Sequence, residues 1–195
     1  EEGLGTRGYL RDEARWTREL ARRYFSTTSA ALRAADPHHL VLGCRFDGVV
    51  GAAVMGECTY PAVDVAMPDW RELPPVHAGD AGSAGGAALN PLLASEVNWT
   101  TPEHLKLPVA ARVLRLTSIE WMLRRGRSAL ERLARHPAVV GYAWSQWQDE
   151  PGEQPPFARG LVHVNGTEAR EHTELLSQFN RRAESLRRGL PALSS

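Results

Sequence analysis

The chain has 195 residues, enough for a sizeable hydrophobic core, and we treat residues 1–195 as a single domain. Hydrophobic residues make up 43% and charged residues 24%, which is the profile of a globular protein. The formal net charge is +0 and no run of about 18 apolar residues occurs, so we expect neither a nucleic-acid partner nor a membrane partner.

Apolar patterning predicts alternating helices and strands. Residues that recur every three to four positions indicate amphipathic helices, and short apolar runs indicate strands buried on both faces. Pro37 ends the first helix, because the residue before a proline is disfavoured in the α region. In chain order, the predicted elements are a loop over 1–10, a helix over 11–35, a strand over 39–46, a short helix over 49–58, a strand over 62–67, a loop over 71–90, a strand over 91–96, a helix over 109–135, a strand over 139–144, an extended piece over 161–164 and a helix over 168–188.

This alternation is typical of a parallel sheet with right-handed crossovers. No predicted strand runs into a glycine-rich phosphate-binding turn, so a nucleotide-binding fold lacks support. The seven histidines are scattered, and Cys44 and Cys58 show no metal-ligand spacing. We therefore expect two reduced, buried thiols, no metal and no cofactor.

Polar and aromatic residues follow the carboxyl end of each predicted strand. In a (β/α)₈ barrel the catalytic groups lie at these ends. Four of the six tryptophans fall there, either as platforms for sugar rings or as caps of a barrel core. The candidate residues are Arg45 after the first strand, Asp69 and Trp70 after the second, Glu96, Asn98 and Trp99 after the third, and Trp144, Gln146, Trp147, Asp149 and Glu150 after the fourth.

Glu96 is the most informative of these residues. It follows Leu-Leu-Ala-Ser directly, so its carboxylate lies at the mouth of a buried strand. That placement is costly unless the group is paired or used. Glu96 is therefore either a nucleophile for an anomeric carbon or one half of a structural ion pair with Arg45, and Arg45 can serve both arrangements.

Several stretches resemble the agarase-like and β-galactosidase-like barrel glycoside hydrolases of clan A. The resemblance runs from about residue 14 to about residue 185, and the stretch at 136–151 is its most specific part. The matching residues are Tyr24-Phe25, Ala35–Phe46 (ADPHHLVLGCRF), Pro91–Trp99 (PLLASEVNW), His136–Pro151 (HPAVVGYAWSQWQDEP) and Gly160–Val162 (GLV).

The resemblance implies the C-terminal half of a (β/α)₈ barrel, with the predicted strands as the fifth to the eighth. It implies a retaining hydrolase that acts on β-linked oligo- or polysaccharides. In such an enzyme the two catalytic carboxylates lie about 5–5.5 Å apart. The nucleophile maps to Glu96. The general acid/base of the family lies on the fourth strand, usually in an Asn-Glu pair, and Glu1 and Glu2 do not follow a strand. The family commonly has a Tyr near the end of the sixth strand, where this chain has Trp70.

A chain with half of the barrel would hold half of the active site. We therefore expect it to be inactive alone and to need an N-terminal half as its partner. The expected carbohydrate contacts, besides the nucleophile, are Arg45, Trp70, Asn98, Trp99, Trp144, Gln146, Trp147 and Asp149.

Two alternatives remain open at this point: a non-catalytic carbohydrate-binding protein and an inert truncated barrel. The first residue is Glu1 rather than Met, so we expect a processed chain or a piece of a longer one. A secreted or periplasmic location is compatible with the sequence, which does not determine it.

Overall fold

The computed structural model describes residues 5–46, 48, 50–73, 90–99, 115–151 and 159–188, with the backbone alone for 115–119. The main elements in these ranges are α1 (Arg7–Ala35), β1 (Leu92–Val97), α2 (Arg115–Arg135), β2 (Val139–Trp144) and α3 (Arg170–Arg188). Single turns of π- or 3₁₀-helix occur at Val54–Thr59, Tyr60–Ala62 and Trp70–Glu72.

Helix α1 begins earlier than the sequence predicts. The hydroxyl of Thr6 accepts a hydrogen bond from the Tyr9 N–H at 3.2 Å and caps the helix, so the predicted loop over 1–10 is wrong from Arg7 onward. The glycine-rich composition concealed this cap. The predicted end is confirmed, because the N–H of Asp36 closes the last turn on the Leu32 carbonyl at 2.7 Å.

The apolar stripe of α1 is largely exposed within the described structure. Trp16, Leu20 and Tyr24 are exposed, Trp16 by 68% of its surface, whereas Phe25 and Ser29 on another side of the helix are buried. The helical spacing of these three residues places them on one face, which stays at least half exposed among the described residues although the Tyr24 hydroxyl meets the Cys44 thiol at 3.3 Å. A contiguous exposed apolar face is a feature of interaction surfaces.

The sheet is parallel and follows chain order. β1 and β2 pair in parallel, and two bridge segments, residues 41–46 and 63–69, extend this pattern through parallel bridges. The bridges join Arg45 to Met67, Ala66 to Leu92 and Asp69 to Ser95.

The strands predicted at 91–96 and 139–144 are confirmed as β1 and β2, but those predicted at 39–46 and 62–67 are reduced to isolated bridges. At Val41 the carboxylate of Asp64, rather than a backbone carbonyl, accepts the N–H at 2.8 Å and interrupts the ladder.

The hydrophobic core lies on β1. Leu92, Ala94 and Val97 are fully buried, and α2 covers them with Leu130 and Leu133. Each buried leucine of this kind stabilises the fold by roughly 1.5–3 kcal/mol relative to an exposed one. Within the described ranges, no helix combines the length and the apolarity that crossing a bilayer requires.

The remaining sequence predictions are confirmed in part. The helices predicted at 109–135 and 168–188 correspond to α2 and α3, residues 109–114 lying outside the described ranges. The short helix predicted at 49–58 is a π-helical turn at Val54–Thr59, and most of the loop predicted at 71–90 is likewise outside. Both cysteines are free thiols, as predicted, but only Cys58 is buried. Cys44 is partly exposed and lies beside the exposed ring of Tyr24.

Candidate functional site

The carboxyl ends of the parallel segments bring Arg45 and Glu96 together. Arg45 ends the first bridge segment and Glu96 lies near the end of β1, with the second bridge segment between them. The Arg45 Nε lies 2.6 Å from the Glu96 Oε1. The Glu96 side chain is 13% exposed and that of Arg45 is 53% exposed, so the carboxylate is recessed and the guanidinium covers it from the solvent side. The ion pair, one of the two arrangements that the sequence left open for Glu96, is therefore present.

The backbone at Glu96 is unusual. Its φ is 54°, in the left-handed region, which costs a residue other than glycine about 1–2 kcal/mol. Ala94 pairs with Tyr142 and Val97 with Trp144, so three steps along β1 match two steps along β2. This bulge breaks the strict alternation of strand side chains, and bulges of this type redirect a side chain next to functional sites.

Two side chains fix this backbone. The hydroxyl of Ser95 lies 2.9 Å from the Pro68 carbonyl and 3.2 Å from that of Phe46, so it ties β1 to both bridge segments. The amide Nδ2 of Asn98 donates to the Glu96 carbonyl at 3.0 Å. The Oδ1 atom of Asn98 is buried without a hydrogen-bond partner among the described residues. Asn98 therefore holds the backbone of Glu96, and its predicted sugar contact stays a prediction.

Asp69 is a fully buried carboxylate with a structural role. It accepts hydrogen bonds from the N–H of Gly48 at 3.1 Å and from the N–H and Nε of Arg71 at 2.8 and 2.9 Å. Burial by itself raises the pKa of Asp69, but the Arg71 side chain and the two backbone donors outweigh it and lower the pKa below its usual value. The carboxylate thus ties the second bridge segment to the turn at Trp70–Glu72. Trp70 is buried, and the guanidinium of Arg132 lies over its ring at 5.3 Å.

Trp99 lies behind the strand ends. It is 2% exposed, and its Nε1 donates to the Nδ1 of His172 at 3.2 Å. Burial lowers the pKa of His172, which agrees with a neutral ring that accepts at Nδ1. Trp144 packs edge-on against Trp99 with ring centroids 4.5 Å apart, and its own Nε1 donates to the Arg159 carbonyl at 2.9 Å.

Sequence reasoning missed two residues of this cluster, Gly126 and His172. A Cβ on Gly126 would lie 2.6 Å from the Trp99 ring, so only glycine lets α2 approach this closely. A glycine in the interior of a predicted helix was the available signal. No local pattern indicated His172.

The segment after β2 carries both an exposed aromatic ring and a buried carboxylate. Gln146, which follows a cis peptide bond from Ser145, is partly exposed, and Trp147 is 73% exposed. Asp149 is buried and accepts from the Gly160 N–H at 2.6 Å and from the His163 Nδ1 at 2.8 Å. The Asp149 carboxylate therefore anchors the segment that contains Gly160 and His163. The sugar contact predicted for Asp149 stays a prediction.

The predicted residues therefore form two layers. One layer consists of residues with exposed or partly exposed side chains, and the other of buried residues. The first layer consists of Arg45, Trp144, Gln146 and Trp147, and the second of Trp70, Asn98, Trp99 and Asp149.

Neither a family model nor a curated protein matches the sequence. Solved structures do match in fold. An exo-beta-agarase shares 20% identity at a TM-score of 0.66 over 96% of this chain and 26% of its own. The protein PfGH50B shares 18% identity at a TM-score of 0.65 over 94% of this chain and 27% of its own. The agarase AgWH50C shares 17% identity at a TM-score of 0.62 over 94% of this chain and 29% of its own. At these identities the likeness shows the fold alone, and the chain spans between 26% and 29% of the length of these proteins.

Proposed function

We propose that this chain is the C-terminal half of an agarase-like (β/α)₈-barrel glycoside hydrolase and that Glu96 is its nucleophile. The observation that carries the proposal is the recessed Glu96 carboxylate at the end of β1, held by Arg45 at 2.6 Å on a left-handed backbone. A partly buried carboxylate, oriented by a cation and set on a strained bulge, is typical of a functional group rather than of a surface ion pair.

Several features support the half barrel. Four parallel segments pair in chain order, α2 connects β1 to β2, and α3 follows β2. Four strands cannot close a barrel. The exposed apolar stripe of α1, with Trp16, Leu20 and Tyr24, then has a natural cover in the preceding half of the barrel, and we propose that half as the partner.

The chemistry follows from the geometry of the strand ends. Glu96 attacks the anomeric carbon of a β-linked sugar and forms a glycosyl-enzyme ester, which water then hydrolyses. Arg45 orients the carboxylate. Trp147 and the accessible part of Trp144 provide faces for sugar rings, and the Gln146 amide can hydrogen-bond a hydroxyl group. The proton for the leaving group comes from a carboxylic acid on the partner half.

A second candidate is a carbohydrate-binding protein without catalytic activity. The observation in its favour concerns the other buried carboxylates at the strand ends. Asp69 and Asp149 are engaged by Arg71 and His163, so in the described part of the chain neither serves as an acid/base opposite Glu96. This observation agrees with a chain that is inactive alone under either candidate.

The test combines this chain with a polypeptide that supplies the first four strands. Because two of the matching structures are agarases, the first substrate is a β-linked galactan, measured by the release of reducing ends. Glu96→Gln should lower kcat by at least about a thousandfold, since the nucleophile is lost. The matched control is Glu174→Gln, an exposed carboxylate on α3, which should leave kcat unchanged.

Activity that survives Glu96→Gln would refute the assignment of the nucleophile. A complex that retains galactan but never cleaves it, with Glu96 intact, would favour the second candidate.

A further inference from the structure

A cleft separate from Glu96 runs along α2 beside the turn at Trp70–Glu72. It encloses about 500 Å³. Its α2 residues follow one another at helical spacing, so they share one face. We call it the arginine–tryptophan cleft, and it is defined by Trp70, Trp121, Arg124, Arg125, Ser128 and Arg132.

Each indole in the cleft carries a guanidinium on its face. The Cζ of Arg125 lies 5.4 Å from the ring centroid of Trp121, and that of Arg132 lies 5.3 Å from the ring centroid of Trp70. Stacking orients a planar guanidinium and leaves its in-plane N–H groups available to an acceptor. Arg132 uses one of its N–H groups on the Trp70 carbonyl at 2.8 Å.

The described lining of the cleft contains four arginines, Arg71 among them, and no acidic residue. Among the described residues, no carboxylate lies within 4.0 Å of Arg124 or Arg125. The nearby Glu131 instead faces Arg135 at 3.7 Å. The Nε1 of Trp70 is a buried donor without a partner in the part of the chain that the structure describes. In a protein of formal net charge +0, this local excess of positive charge and N–H donors favours an anion.

We propose that the arginine–tryptophan cleft binds an anionic substituent of a polysaccharide, either a sulfate ester or a carboxylate. Guanidinium groups match the paired oxygens of both anions. Trp121 is 47% exposed and retains surface for the sugar ring that carries the anion. The choice of a polysaccharide rests on the proposed function, but the cleft residues are distinct from Glu96 and Arg45.

A polysaccharide with single anionic substituents is favoured over nucleic acid because the cationic face is short. The cationic face from Trp121 to Arg132 is only about 17 Å long at 1.5 Å per residue, which engages few phosphates.

The experiment measures the binding of the whole chain to a sulfated galactan, to the same galactan after desulfation, to a polyuronate, to inorganic sulfate and to duplex DNA. Calorimetry at constant ionic strength gives each Kd. The cleft variant is Arg124→Gln/Arg125→Gln, and the matched control is Arg181→Gln/Arg182→Gln, which removes the same charge from exposed positions on α3. Circular dichroism melting establishes that both variants fold.

Wild-type and control should bind the sulfated galactan or the polyuronate at least about tenfold more tightly than the desulfated galactan, and the cleft variant should lose this preference. Preference for the sulfated galactan identifies a sulfate ester as the ligand, and preference for the polyuronate identifies a carboxylate. The proposal is overturned if the cleft variant binds as the wild-type does, if only inorganic sulfate binds, or if DNA binds more tightly than both polysaccharides. If the wild-type chain combined with its partner half hydrolyses no galactan, while the whole chain still shows the anion preference that Arg124→Gln/Arg125→Gln removes, the proposed function is rejected and this proposal stands.

Discussion

Gly126 offers the sharpest test of how the site is supported. It lies inside α2, directly against the buried ring of Trp99. A Cβ at this position would lie 2.6 Å from Cε2 and 2.7 Å from Cδ2 of Trp99, and 3.0 Å from Cδ2 of Leu175. Real Cβ contacts essentially never approach a ring that closely, so Gly126→Ala must displace Trp99 or tilt α2.

Two opposing terms determine the magnitude. Alanine favours a helix interior over glycine by about 1 kcal/mol. Overpacking in a dense core costs about 1–3 kcal/mol, and Trp99 has little room to move because His172 and Trp144 hold it. The steric cost less the helix gain leaves a net loss of up to about 2 kcal/mol, which lowers Tm by up to roughly 8 °C for a chain of this size.

The assay is thermal unfolding followed by circular dichroism, with tryptophan emission as a second signal because the ring of Trp99 shifts against Trp144. The matched control is Gly8→Ala in the first turn of α1, where the nearest atom to a new Cβ is the Thr6 hydroxyl at 3.9 Å. That variant should raise the free energy of unfolding by about 0.4–1 kcal/mol. If Gly126→Ala raised the free energy of unfolding as Gly8→Ala is expected to do, the steric argument would be refuted.

Two further predictions concern backbone conformation and protonation. Glycine accepts the left-handed backbone at position 96 and alanine does not. In urea unfolding, Glu96→Gly should therefore be about 1 kcal/mol more stable than Glu96→Ala. Equal stabilities of the two variants would show that the bulge relaxes. Burial lowers the pKa of His172, while Glu171 and Asp149 act in the opposite direction, so the folded protein binds this proton less readily than the unfolded chain. Its contribution to stability is therefore complete above the unfolded pKa of about 6.5 and is lost as the pH falls from there through the folded pKa. His172→Gln should flatten the decline of Tm over that range, and an unchanged slope would contradict the assignment.

The sequence predicted the core elements well because their signals are local. The apolar run of β2 was placed at its observed bounds, and α2 and α3 followed from helical spacing that two or three turns suffice to establish. The bridge segments were predicted as full strands, since an apolar run does not reveal that the side chain of Asp64 occupies the Val41 N–H. The stripe at Trp16 and Leu20 shows the same limit: periodicity identifies a face but not what covers it.

The candidate site was predicted in outline by one topological rule. Parallel strands share the edge at which they end, so Arg45 and Glu96 could be expected to meet without any knowledge of distances. The rule does not distinguish residues at that edge that face solvent from those that lie behind it. Trp99 is buried and bonds His172, 73 residues further along the chain, and Asp149 is buried and bonds the Gly160 N–H, 11 residues further along; local spacing reveals neither contact.

Local patterns in the amino-acid sequence predict the order of helices and strands, the strand ends that carry polar groups, and Glu96 as the leading candidate. Those properties depend on residues within one or two turns of one another, whose spacing is written directly in the chain. Three features became visible only in the folded chain: the left-handed bulge at Glu96, the division of the tryptophans between core and surface, and the position of Trp70 beside the arginines of α2. Each of these depends on contacts between segments far apart in sequence, where burial and charge are set by the neighbours that the fold supplies.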